Sequence, residues 1–104
     1  MANVTLTVVF TREDKDTDWF WELGNDAQTT WRAYQKETYL DTGKLVSIVH
    51  TLSDNELQLT TKLKFKDKDT WDAFEADETV IARRTAQTSY ENSNDISKSA
   101  SNDG

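Results

Sequence analysis

The sequence predicts an α+β fold: an antiparallel sheet covered on one face by helices. Three observations carry this. NVTLTVVFTR alternates apolar and hydroxyl side chains with the period of a strand. LVSIVHTLSDNELQLTTKLKF repeats that alternation on both sides of a polar Asp-Asn pair, as a hairpin does. DAQTTWRAYQKETYL and DKDTWDAFEAD instead space their large apolar residues by three and four, as helices do.

Taken in order, residues 3–12 form the first strand, with Val4, Leu6, Val8 and Phe10 on its buried side. The charged run EDKDTD breaks the pattern, and Asp16 or Thr17 is placed to cap a short helical segment carrying Trp19, Phe20 and Leu23. Gly24 and Asn25 interrupt it. Over residues 26–40, Ala27, Trp31, Tyr34 and Thr38 share a helical stripe, Asp26 suits the N-terminal end, and Thr42-Gly43 supplies a stop.

A two-residue connection at Asp54-Asn55 sets Leu52 opposite Leu57, His50 opposite Leu59, Ile48 opposite Thr61 and Val46 opposite Leu63. Val46, Ile48, His50, Leu52, Leu57, Leu59, Leu63 and Phe65 then make one apolar face, backed by Ser47, Thr51, Gln58, Thr60, Lys62 and Lys64. A loop one residue longer moves His50 to the polar side. Beyond the hairpin, Asp67 or Asp69 caps a helix whose inner side carries Trp71 and Phe74. In ETVIARRTAQTSYEN, Ile81 and Thr85 define the apolar side, leaving Arg83, Arg84, Gln87 and Glu91 for solvent or a partner. The closing SNDISKSASNDG has no periodicity, so residues 1–91 read as a single domain and 92–104 as a polar, mobile tail.

The order β, α, β, β, α resembles the start of the ferredoxin-like β-α-β-β-α-β plan, without its last strand. FKDKDTWDAFEADETVIARR is similar to the second-helix region of small dimeric α+β barrel proteins, whose sheets pack face to face across two subunits. That resemblance spans residues 3–90 and implies a homodimer, with room for an apolar pocket between sheet and helices.

Composition narrows the function classes. With 19 acidic and 12 basic side chains the formal charge is -7, which opposes binding to nucleic acid or anionic membranes. There is no cysteine, so disulfides, thiolate catalysis and cysteine-based metal centres are excluded. The three glycines form no phosphate-cradling loop, and Asp14, Asp16, Asp18 and Glu22 lack the glycine and terminal Glu of a calcium loop. No metal and no cofactor is expected. The N-terminus lacks the features of a signal peptide and no apolar run approaches a membrane span, so the expected location is the cytoplasm or another soluble compartment.

His50, the only imidazole, is the candidate acid-base group, with Tyr34 as a second chemical candidate and Tyr34, Asp41 or Glu75 as orienting partners. A pocket would be walled by Ile48, His50, Leu59 and Leu63, with Trp31, Tyr34, Trp71 or Phe74 above them. Three consecutive aromatics cannot all face inward on a helix or strand, so Trp19, Phe20 and Trp21 are candidate interface anchors, joined by Arg83 and Arg84. The primary expectation is a noncatalytic self-associating protein or a subunit of a larger assembly. The alternative is a small-ligand-binding protein or cofactor-independent enzyme acting on a small apolar substrate.

Overall fold

Alternation of β-branched and aromatic residues makes Val4–Arg12 a strand, β1, and its neighbours complete a four-stranded sheet in the computed structural model, which describes residues 3–102. Leu45–Leu52 (β2), Gln58–Phe65 (β3) and Ile96–Asn102 (β4) join it in the order β2-β3-β1-β4, with every neighbouring pair antiparallel. Helices Asp26–Gln35 (α1), Lys68–Ala76 (α2) and Glu78–Ser93 (α3) complete a β-α-β-β-α-α-β chain. This is the full ferredoxin-like plan.

The fourth strand corrects the expectation of an unstructured tail. Asp95 turns the chain with φ of 57°, and residues 96–102 then pair with β1, Lys98 opposite Phe10 and Ala100 opposite Val8. An edge strand has solvent along one side, and here only Ile96 is buried, so Ser97, Ser99 and Ser101 leave no apolar period to read. The last two residues of the expected tail, like the first two of the chain, lie outside the described residues.

The β2–β3 register also differs. Leu52 pairs with Leu59, His50 with Thr61 and Ile48 with Leu63, two residues away from the tight-turn register. Asp-Asn lacks the glycine that a two-residue turn favours, and the connection runs instead from Ser53 to Gln58, whose carbonyl accepts from Ser53 N at 2.9 Å. Glu56 takes the left-handed position at φ 62°, while Asn55 Oδ1 accepts from Leu57 N at 3.0 Å. A shift of two preserves each side chain's face, so Ile48, His50, Leu52, Leu59 and Leu63 still share the inner surface. A bulge between Leu45 and Ser47 exchanges two neighbours: Leu45 is 1% exposed, whereas Val46, expected inside, is 50% exposed.

Side-chain caps start all three helices. Asn25 caps α1, accepting from Gln28 N at 3.1 Å, so the cap lies one residue before the expected Asp26. Asp67 caps α2 and Asp77 caps α3. α1 widens into a π turn over Lys36–Leu40 before Gly43, at φ 76°, ends it. The widening rotates Tyr39 into the core, and at the other end Gln28 is buried where Ala27 was expected. Leu6, Tyr39, Leu45, Phe65, Phe74 and Val80 form the main core. Phe10, Trp19, Leu59 and Ile96 form a second at the other end of the sheet.

Candidate functional site

Between the two core clusters the helix layer and the sheet flank a half-open cavity of about 580 Å³. Its floor is the middle of the inner sheet face: Leu6, Val8, Phe10, Ile48, His50, Thr61 and Leu63, with Ala100 from β4. Trp31, Arg32 and Gln35 of α1, Phe74 and Glu75 of α2, and Val80, Arg83, Arg84 and Gln87 of α3 make the opposing walls. This size lies within the roughly 300–1,000 Å³ usual for small-molecule sites.

α3 explains the mixed character of these walls. The expected apolar edge, Ile81, is 48% exposed, and the polar stripe at 83, 84 and 87 faces the cavity beside Val80. This reverses the expected orientation of the helix. Positions 80, 83, 84, 87 and 91 follow the three-four spacing of one helix face, and four of the five are polar. A helix that only filled a core would bury Ile81 instead.

Of the residues expected in a pocket, Ile48, His50, Leu63, Trp31 and Phe74 line the cavity. Leu59 does not, because it packs with Phe10, Trp19 and Ile96 in the second core. Trp71 also lies outside the lining and donates from Nε1 to Glu75 Oε1 at 2.9 Å. Tyr34 is occupied elsewhere: its hydroxyl and that of Tyr39 each donate to Asp77 Oδ2 at 2.5 Å. The hydrogen bond to Asp77 is the main cause of the raised Tyr34 pKa. Burial raises the Asp77 carboxyl, but the two tyrosines and the backbone N–H groups of Thr79 and Val80 outweigh it and hold its pKa below the ordinary value. The cluster fixes the start of α3 and does not bring Tyr34 to His50.

His50 Nδ1 is 2.8 Å from Thr61 Oγ1, and its ring stacks on Trp21 at 5.5 Å with an 18° interplanar angle. Burial lowers its pKa below 6.5, favouring the neutral ring near pH 7. Trp21 in turn stacks on Trp19 at 5.9 Å and meets Phe10 edge-on at 5.0 Å. The expectation that these three aromatics supply exposed anchors is therefore corrected for two of them: Trp19 and Phe20 are buried, and half-buried Trp21 lines the cavity. The segment Phe20–Glu22 is a single 3₁₀ turn wedged against both layers, so the geometry of a longer helix or strand does not apply. Arg12, absent from the sequence-based candidates, completes the wedge. It is buried, donates to the Glu56 and Thr17 carbonyls, and lies 4.3 Å over the Trp19 ring.

Arg83 and Arg84 also turn toward this site. Arg84 pairs with Glu75, and Arg83 Nη1 donates to buried Gln28 Oε1 at 2.9 Å while its guanidinium lies 4.9 Å from the Phe20 ring and 4.8 Å from Trp31. Lys98 pairs with buried Glu91 at 2.8 Å, fastening β4 to α3. Among the lining residues outside the expected pocket, Leu6, Val8, Phe10, Trp21 and Val80 are apolar, while Arg32, Gln35, Thr61, Gln87, Lys98 and Ala100 are polar or small and only the tertiary placement of their elements identifies them. The set can enclose an apolar body, stack on an aromatic ring and offer hydrogen bonds at one side. Among the described residues no group of three His, Cys, Asp or Glu side chains is placed to hold a metal, and no helix is long and apolar enough to cross a membrane.

The fold defined by this sheet and its helices is ferredoxin-like, and the chain is similar in structure to proteins already solved. One is a dimeric ferredoxin-like protein from an uncultured marine organism, at 10% identity and TM-score 0.56, covering 97% of this chain and 92% of that one. Another is Rv0793 from Mycobacterium tuberculosis, at 11% identity and TM-score 0.46, covering 96% and 93% respectively. No family model matches the chain, and no curated protein matches its sequence.

Proposed function

We propose that the chain binds a small, largely apolar molecule in the cavity between its helices and sheet. The observation that carries this reading is the orientation of α3, which leaves Ile81 in solvent and turns Arg83, Arg84 and Gln87 toward an apolar floor. Partly buried polar groups beside a void favour a ligand with both apolar surface and a polar end. Stacked Trp21 and His50 extend an aromatic wall suited to a planar ring. His50 supplies a neutral imidazole there, so hydrogen bonding to the ligand is its role in this reading and proton transfer is not required.

Tryptophan fluorescence titrated with naphthalene-2-carboxamide tests the proposal, because Trp21 and Trp31 both line the cavity. Saturable quenching at one molecule per chain is expected, and Gln87→Trp should weaken it at least about tenfold by filling the site. No saturable binding, or binding indifferent to Gln87→Trp in a folded variant, contradicts it.

A second reading, self-association, draws support from β2. This edge strand leaves Val46, Val49 and Leu52 exposed at 50%, 51% and 43%. An exposed apolar edge favours pairing with another copy. The rest of the outer sheet face is a poorer candidate, since beside Val9 and Val49 it carries Thr7, Thr11, Lys62, Lys64 and the β4 serines.

A further inference from the structure

Four cationic side chains line the cavity, Arg32, Arg83, Arg84 and Lys98, against one acidic one, Glu75. This excess stands out in a chain of net charge -7. Two of the four are neutralised within the fold, Arg84 by Glu75 and Lys98 by Glu91. Arg32 and Arg83 form no ion pair among the described residues. Arg32, at the exposed rim, makes a single long hydrogen bond of 3.4 Å to the Trp21 carbonyl. Arg83 is half-buried, and only its Nη1 has a protein acceptor, the Gln28 side chain at 2.9 Å. A guanidinium carries five N–H donors, so most of its donor capacity is unspent.

We propose that Arg32 and Arg83 form the seat for a carboxylate, and that the cavity's ligand is therefore a small apolar carboxylate. The inference rests on the ligand-binding reading above and adds the ligand's charge. Its geometry has three parts. The two cations come from different helices, α1 and α3, that line the same cavity. The Arg83 guanidinium is held between the Phe20 and Trp31 rings, which fixes its plane without consuming its donors. Gln28, 1% exposed, anchors it from behind.

The electrostatics agree. Burial, and then repulsion from Arg32, pushes the Arg83 pKa down to about 10 against the smaller opposing pull of Glu91, so the site holds two positive charges near one another, one of them partly dehydrated. An anion placed between them removes that repulsion and accepts the unspent N–H groups. Beyond the His50–Thr61 pair the floor is apolar, and the other two cations, Arg84 and Lys98, are already paired with carboxylates, which is why a monoanion on an apolar body fits best.

Calorimetric titration of the intact chain with naphthalene-2-carboxylate and its neutral isostere naphthalene-2-carboxamide decides the matter. The expected result is a preference for the carboxylate of at least about tenfold, as charge-assisted pairing allows. Arg32→Gln, at the exposed rim, and Arg83→Gln should each cut that preference to within about threefold. Arg32→Gln keeps the test valid should Arg83→Gln fail to fold. Equal affinity for both compounds in the parent chain overturns the carboxylate seat and leaves the cavity reading standing. A preference that survives in folded Arg32→Gln and Arg83→Gln also overturns it, since the anion would then be held elsewhere. Binding of neither compound overturns the cavity reading and this inference together.

Discussion

His50 shows how one residue's environment converts into a pH dependence. Its folded pKa lies below 6.5 because burial disfavours the charged ring. As pH falls through this range the unfolded chain binds the proton more readily, so the stability linked to His50 is full above about 6.5 and is lost as pH falls through the lower folded value. His50→Gln should therefore flatten the stability profile between about pH 8 and about pH 5, measured by urea unfolding. An unchanged slope would show that the imidazole is as well hydrated folded as unfolded. Asp77 carries the opposite chemistry with the same sign: its depressed pKa gives stability that is present above 3.8 and lost as pH falls through the folded value. Asp77→Ala removes a helix cap and the acceptor for Tyr34 and Tyr39, and should cost about 1–3 kcal/mol at neutral pH. Neither partnership could be read from the sequence, because Tyr34 and Asp77 are 43 positions apart. What could be read was that position 50 interrupts an apolar face.

At the scale of elements, legibility followed how completely each one is buried on a single side. β1, β2 and β3 have one inner and one outer face, so period two revealed them, and a register error of two residues kept Ile48, His50, Leu52, Leu59 and Leu63 on the expected face, while Leu57 falls in the connection and the bulge buries Leu45 in place of Val46. β4 and α3 were misread for a common reason. Only one residue of β4 is buried, and the inner face of α3 meets a cavity instead of a packed core, so neither carries the apolar period that marks a buried side. The orientation of α3 is open to direct test. Ile81→Lys should change stability by less than about 0.5 kcal/mol, whereas Val80→Ala, at 2% exposure, should cost on the order of 1–3 kcal/mol. Chemical denaturation of the two variants would reveal a reversed order if α3 packed as its sequence suggests.

The whole molecule couples two features that the chain's composition conceals. Its net charge of -7 coexists with a lining that holds four cationic side chains and one acidic one, Glu75, and in which Arg32 lies near enough to repel Arg83. The apolar side chains left over from the core gather on the β2 edge. Sedimentation equilibrium should accordingly show reversible self-association at tens of micromolar, on the order of the weak end of specific interfaces, weakened by Val49→Lys without loss of fold. A strict monomer at that concentration would remove the β2 edge as an interface and leave the cavity untouched.

The cavity is the centre of the account, and methyl-resolved NMR during titration with naphthalene-2-carboxamide addresses it most directly. Val8, Ile48, Leu63 and Ala100 line the cavity, whereas Val9 and Val49 occupy the opposite sheet face. Saturable shifts are expected in the first four methyl-bearing residues at one molecule per chain, with Val9 and Val49 unmoved. Shifts centred on Val9 and Val49, or none at the four lining residues up to the probe's solubility limit, would contradict it.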